Sequence, residues 1–219
     1  MTTSSSAFDA VKSGDLDGLK SILASDPGVA RERNEQGQSL VTWAAYFRRR
    51  DMLDAVLAAD PPLDIFEAAL AGCVARVAEL LAAEESLARA CSSDGFSALH
   101  LAAFFGHDGV AELLLEHGAD PDAISRNAMG LCPLHTAANF GSRGVARLLL
   151  ENGAEVNARQ QGGFAPIHAA ANNGDLEMLR LLIAHGADVD ARTNDGKTPA
   201  DMAAQKGHNE AATLLRNAV

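Results

Sequence analysis

Three histidines, His100, His135 and His168, follow one another at steps of 35 and 33 residues, each just ahead of an Ala-Ala pair. Imidazole is the most versatile chemical side chain near neutral pH, serving as general acid, general base or metal ligand. Two pairs of carboxylates, Asp120/Asp122 and Asp188/Asp190, could in principle divide acid and base roles. Cys73, Cys91 and Cys132 offer thiols, and Gly162-Gly163 offers a flexible backbone. The chemistry available is therefore metal binding, proton transfer or thiol attack, if the fold gathers these groups.

The surrounding pattern argues against gathering. SALHLAAFFGHDGVAELLLEHGADPDA (97–123) recurs as CPLHTAANFGSRGVARLLLENGAEVNA (132–158) and APIHAAANNGDLEMLRLLIAHGADVDA (165–191). A shorter echo, TPADMAAQKGHNEAATLLRNA (198–218), places Asp201 where the histidine stood. Upstream the pattern weakens, with Thr42, Phe66 and Phe8 in the equivalent slot. Each unit reads as two short helices. The first ends at a glycine such as Gly106, and the second buries Val110, Leu113 and Leu114 and stops at His117-Gly118. Turn residues from Asp120 to Gly130 then make a hairpin-like finger to the next unit. Such short helix pairs must stack to bury their apolar faces. Equivalent positions on stacked helices lie about 8–10 Å apart, whereas one zinc ion with ligand bonds of about 2.0–2.1 Å needs its nitrogens within roughly 4 Å of one another. No metal site is expected, and no catalytic residue or cofactor.

The stretch Pro-Leu-His-x-Ala-Ala at 133–138, the Leu-Leu-Leu runs and Gly-Ala-Asp-x-Asp-Ala (118–123, 186–191) resemble ankyrin repeats. The resemblance extends over residues 7–218, and the style of Asp-Ile-Phe-Glu-Ala-Ala (64–69) is similar to bacterial-type members. It implies an all-α solenoid of stacked helix-turn-helix units with fingers, about seven units in a single domain spanning 1–219. Those units are an N-terminal unit (7–38), a degenerate unit (39–63), a unit without a preceding finger (64–91), three regular repeats (92–191) and a C-terminal cap (192–219). It also implies that the histidine closes hydrogen bonds at the start of the first helix and towards the adjoining finger.

Six of the eight phenylalanines fall in two columns of this repeat. One column is the residue pair before the first-helix glycine: Tyr46-Phe47, Leu70-Ala71, Phe104-Phe105, Asn139-Phe140, Asn172-Asn173. The other follows the finger glycine: Phe96, Leu131, Phe164. By the resemblance both columns face the concave side, where large apolar groups mark a partner site. The expected partner-binding set is Tyr46, Phe47, Phe96, Phe104, Phe105, Met129, Leu131, Phe140, Phe164, Asn172 and Asn173. Trp43 is expected in the core. Arg48 replaces a capping glycine, and Arg48, Arg49 and Arg50 border the missing finger, an expected groove for an acidic segment.

With 29 Asp/Glu against 18 Lys/Arg the chain is acidic, formally −11, which disfavours nucleic acid. Three widely spaced cysteines without a CxxC pair fit a reducing compartment. No signal peptide or spanning segment is read, so the expected location is cytoplasmic, away from membranes. No nucleophile elbow, Walker or HExxH pattern occurs, and no cysteine sits near a histidine in a recognisable nucleophile motif. The expected function is a non-enzymatic module that binds another protein to regulate or scaffold it. The alternatives are an exported effector, an enzyme or small-ligand binder with a pocket near the shortened third unit, and self-association.

Overall fold

The structure, a computed structural model, describes residues 3–218. They fall into two compact units, residues 1–71 and 72–219, within the stretch expected to be one domain. The first holds α1 (Thr3–Ser13), α2 (Leu16–Ser25), α3 (Leu40–Tyr46), α4 (Arg50–Leu57) and α5 (Ile65–Ala71). The second holds α6 (Val74–Ala83), α7 (Ala98–Phe105), α8 (Asp108–Glu116), α9 (Pro133–Phe140), α10 (Arg143–Glu151), α11 (Pro166–Asn173), α12 (Leu176–Ala184), α13 (Pro199–Gln205) and α14 (Asn209–Asn217). Fourteen α-helices and no strand, only two isolated bridges, make up the described residues: an all-α repeat solenoid.

In the second unit α7, α9, α11 and α13 pack in one row, and α6, α8, α10, α12 and α14 in another. Their starts and ends are written in the residues. Pro133, Pro166 and Pro199 occupy the first helical turn, where the lost N–H would have no partner anyway. Gly106, Gly141 and Gly174 end the inner helices in left-handed backbone. The pairs Ala102-Ala103, Ala137-Ala138 and Ala170-Ala171 are fully buried; their small size lets neighbouring inner helices approach. In α8 the buried face is Val110, Ala111, Leu114 and Leu115, while Leu113 is half-exposed. That corrects the expected register by one turn edge: the Ala111/Leu115 side, not Leu113, faces inward.

Each finger is closed at its base by a backbone N–H donating to a carbonyl, Asn34 to Gln38, Ser92 to Phe96, Ser125 to Leu131, Gln160 to Phe164 and Thr193 to Lys197, and a glycine N–H bonds back across its tip. Neighbouring fingers also touch, the Arg126 N–H donating to Gly95 O and the Asn194 N–H to Gly162 O, each at 2.8 Å. A Cβ added at Gly95 would lie 2.9 Å from the Arg126 carbonyl carbon, so glycine is needed there for space as well as for its φ of 85°. Asp120 and Asp188 accept from the backbone N–H groups of Asp122 and Asp190, a turn role and not acid–base pairing.

In the first unit the missing finger is replaced by Asp60-Pro61-Pro62, with Asp60 left-handed at φ 51°. The end of α5 differs from the other inner helices: Leu70 and Ala71 are buried and present no surface column. The slot in α5 belongs to Glu67 and not Phe66, because Asp64 caps the helix and its carboxylate accepts from the Glu67 N–H at 2.8 Å. The repeat step is therefore one residue longer here than the apolar pattern indicates.

Candidate functional site

The histidines are brackets. The His100 Nε2–H donates to Leu131 O at 2.9 Å, and Nδ1 faces the Ser97 hydroxyl at 2.8 Å and the Ser97 N–H at 3.3 Å. His135 spans Cys132 and Phe164 O in the same way, and His168 spans the Ala165 N–H and Ala191 O. Since the carbonyl requires a donor at Nε2, each Nδ1 is an acceptor and each ring is neutral. Burial holds all three pKa values below the ordinary histidine value, against the opposing pull of the carbonyls. Both nitrogens of every ring are thus engaged. Among the described residues no group of three or more His, Cys, Asp or Glu is arranged to hold a metal ion.

The Cys132 Sγ lies 2.9 Å from His135 Nδ1, a cysteine–histidine pair three residues apart on one cap. It lacks the features of a nucleophile. Burial pushes the thiol pKa up and the imidazole pKa down, so neither ion of a thiolate–imidazolium pair is favoured. Cys132 fills the place of Ser97 one repeat earlier, its S–H donating where the serine hydroxyl does.

Beside this row of brackets the second unit opens a cavity of about 460 Å³. Helix α9 supplies Thr136, Asn139 and Phe140, which share one helical face at i, i+3 and i+4. Phe104 comes from α7, Ala169 and Asn172 from α11, and Met202 from α13. The fingers contribute Phe96, Met129, Leu131, Gln160 and Phe164. Phe104 and Phe140 pack at a centroid distance of 4.0 Å, joining adjacent repeats into one apolar wall. Phe96 and Phe164 lean on His100 and His168 at 5.6 and 5.9 Å, so each ring also steadies its bracket. Phe140 and Met129 remain 41% and 51% exposed and form part of the rim.

The cavity brings together seven of the expected residues, Phe96, Phe104, Met129, Leu131, Phe140, Phe164 and Asn172; Asn173 lies outside its lining and donates through Nδ2–H to Asn139 O. Phe105 turns away from it; its ring packs on Phe104 and stacks on His107. Tyr46 and Phe47 are exposed in the first unit, where Phe47 packs against Trp43 at 5.1 Å. Trp43 is half-buried and not fully core, its indole N–H donating to Phe8 O. Arg48 takes the left-handed cap conformation at φ 53°. Arg49 lies over Gly14, and Arg50 pairs with Asp54 at 3.0 Å. The pocket expected near the shortened third unit is not where this cavity lies; it sits among the regular repeats. Sequence reading missed Thr136, Gln160, Ala169 and Met202. The signal was present in the column after the slot, Leu101, Thr136, Ala169, Met202, of which the last three line the cavity.

A model of ankyrin repeats in three copies matches residues 65–160, and one of ankyrin repeats in many copies matches 149–203. Together they span 65–203, and the chain belongs to the ankyrin-repeat proteins. It is similar to the E3 ubiquitin-protein ligase XB3 of Oryza sativa subsp. japonica, 46% identical over 65 residues. That match spans 29% of this chain and 14% of the rice protein.

Proposed function

We propose that the protein is a non-enzymatic binding module that holds another protein against its fingers and inner-helix ends, regulating or scaffolding that partner. Ankyrin repeats are generally protein-interaction modules. The observation that carries the reading is the apolar cavity with exposed Phe140 and Met129 at its rim, since burying one such side chain contributes about 1.5–3 kcal/mol. The proposed contact set is Phe96, Phe104, Met129, Leu131, Phe140, Phe164, Asn172 and Asn173, with Phe105, Tyr46 and Phe47 as flanking surface. Arg48, Arg49 and Arg50 are a proposed secondary patch for acidic side chains. An acidic chain favours protein over nucleic acid as partner, and no described helix is long and apolar enough to cross a membrane. Three widely spaced cysteines without a CxxC pair support a reducing, cytoplasmic setting. The chain spans too little of the rice ligase for that activity to be carried over.

The test is capture by immobilised protein, comparing wild type with a Phe140→Glu/Met129→Glu variant. Both positions are exposed, so the variant should keep its helical circular dichroism and melt within a few degrees of wild type. A partner retained by wild type and lost from the variant supports the reading. Equal retention by both removes this face from the interaction, and light scattering shows whether the retained species is a second copy.

A further inference from the structure

The first unit carries a charged patch of its own, where α1 and α3 end. Arg48 and Arg49, in the turn between α3 and α4, are exposed, and so is Lys12 in the last turn of α1. Arg49 reaches from its turn to the end of α1. A Cβ built on Gly14 would stand 3.1 Å from the Arg49 guanidinium carbon, and Gly14 follows Lys12 by two residues. Tyr46 ends α3 and Phe47 caps it, 43% and 39% exposed, immediately before Arg48. Two rings and three cations thus stand at one end of the unit.

The cations lack an internal counter-ion. Of the carboxylates that flank them in sequence, Asp15 accepts from the Gly18 N–H, Asp51 from the Met52 N–H, and Asp54 holds Arg50 at 3.0 Å. Among the described residues neither Asp9 nor any other acid forms an ion pair with Lys12, Arg48 or Arg49. With 29 acidic residues against 18 basic ones, the chain leaves here a small positive spot in negative surroundings. Arg48 is also held at φ 53°, a backbone state that glycine would take without strain. Strain of this kind collects at functional sites.

The spot selects its occupant. Exposed cations are felt only within a Debye length, about 8 Å at physiological ionic strength. The net charge of −11 around them repels long polyanions and anionic membranes. A short acidic segment can seat carboxylates on guanidinium forks, whose donors match carboxylate geometry. An apolar side chain next to those carboxylates then reaches the rings.

We propose that the first unit binds a short acidic and apolar segment of a partner polypeptide, its carboxylates on Arg48, Arg49 and Lys12 and its apolar side chain on Tyr46 and Phe47. This rests on the reading of the arginine run as a patch for acidic side chains. It exchanges Arg50, whose charge is taken by Asp54, for Lys12 and adds the rings.

Trp43 reports on this site, because it is the only tryptophan of the chain and packs on Phe47 at 5.1 Å. The experiment titrates the whole 15N-labelled chain with acetyl-Gly-Glu-Asp-Glu-Leu-Phe-Gly-amide and follows the Trp43 indole N–H signal. A saturable shift is expected, with binding weakening as salt rises from about 50 to about 500 mM. The peptide carrying Gln-Asn-Gln for Glu-Asp-Glu should bind at least about 5-fold more weakly. Arg48→Gly/Arg49→Gln should bind the acidic peptide about 4- to 25-fold more weakly, at about 2- to 5-fold for each exposed ion pair. Since Arg48→Gly relieves strain, that loss is not one of unfolding. Phe140→Glu/Met129→Glu, altered in the other unit, should bind the peptide as wild type does. An unmoved Trp43 signal, or equal binding by the Gln-Asn-Gln peptide or by Arg48→Gly/Arg49→Gln, overturns the proposal together with the reading of the arginine patch. Equal binding of a peptide with Ser-Gly for Leu-Phe overturns the proposal alone and leaves the arginines a patch for any carboxylate. Tighter binding of oligothymidylate than of the peptide also defeats it, by making the spot a polyanion site. The capture experiment at Phe140 and Met129 reads the other unit and is untouched by any of these results.

Discussion

At the scale of single residues the histidines do structural work that depends on their being uncharged. His100, His135 and His168 each offer Nδ1 to donors at the helix start and Nε2–H to a carbonyl across the repeat boundary. A second proton would have to sit on Nδ1, facing groups that are themselves donors. The native pKa values are lowered, so below the unfolded-state pKa of about 6.5 the unfolded chain takes up protons that the folded chain refuses. Stability is then complete above pH 6.5 and falls as the pH drops through the native values. Urea unfolding at pH 7.5, 6.5 and 5.5 should show this fall, with a slope of up to about 1.4 kcal/mol per pH unit for each ring. A flat profile over that window would mean the rings accept protons in place. The bracket was legible from the repeat alone, since stacked helices hold equivalent positions too far apart for one ion. Which groups close it was not: Ser97, Cys132 and Ala165 share a backbone geometry, not a side-chain type, so the Cys132–His135 contact has no sequence signature.

Between elements, neighbouring fingers are tied by backbone bonds as well as by side chains such as Arg159, which donates to Arg192 O. Gly163 has φ 78°, and a Cβ there would meet the Asn194 backbone nitrogen at 3.0 Å, beside the Asn194 N–H bond to Gly162 O. Gly163→Ala should therefore destabilise by more than the roughly 1–2 kcal/mol of left-handed backbone alone, since the neighbouring finger must also shift. Gly153→Ala is the matched control: its φ is 84°, but nothing lies within 4 Å of the added methyl. Comparable melting losses for the two would show that finger contact contributes nothing. The regular repeats were readable because proline, alanine pairs and glycine each impose one local geometry. Register was harder where those signals thin out. In α5 the apolar pattern points to Phe66, but Asp64 caps the helix, and Glu67, buried and paired to Arg33 at 2.9 Å, takes the slot. The cavity was hidden for another reason: its lining comes from α7, α9, α11, α13 and the fingers between them, and no single repeat displays it.

For the molecule as a whole, stability in a repeat protein is a sum of unit and nearest-neighbour terms, so it need not be uniform. The inner helices α7, α9 and α11 end in glycines that adopt left-handed backbone freely. In the first unit the corresponding position is Arg48 at φ 53°, and Asp60 follows at φ 51°. Each non-glycine residue so held costs about 1–2 kcal/mol. The residue before α4, Arg49, makes no side-chain capping bond, whereas Asp175 caps α12 and also pairs with Arg143 at 2.7 Å. Local opening should therefore be easiest in α3 and α4 and hardest in α9 to α11. Native-state hydrogen exchange should find amides of α3 and α4 exchanging faster than those of α9 to α11. Replacing Arg48 by glycine removes one strained residue, and it should slow exchange in α3 and α4 about 5- to 30-fold, the equivalent of about 1–2 kcal/mol. The amides of α9 to α11 should keep their rates. If they slow by the same factor, the chain opens as one cooperative body and local strain at Arg48 does not set the weak point.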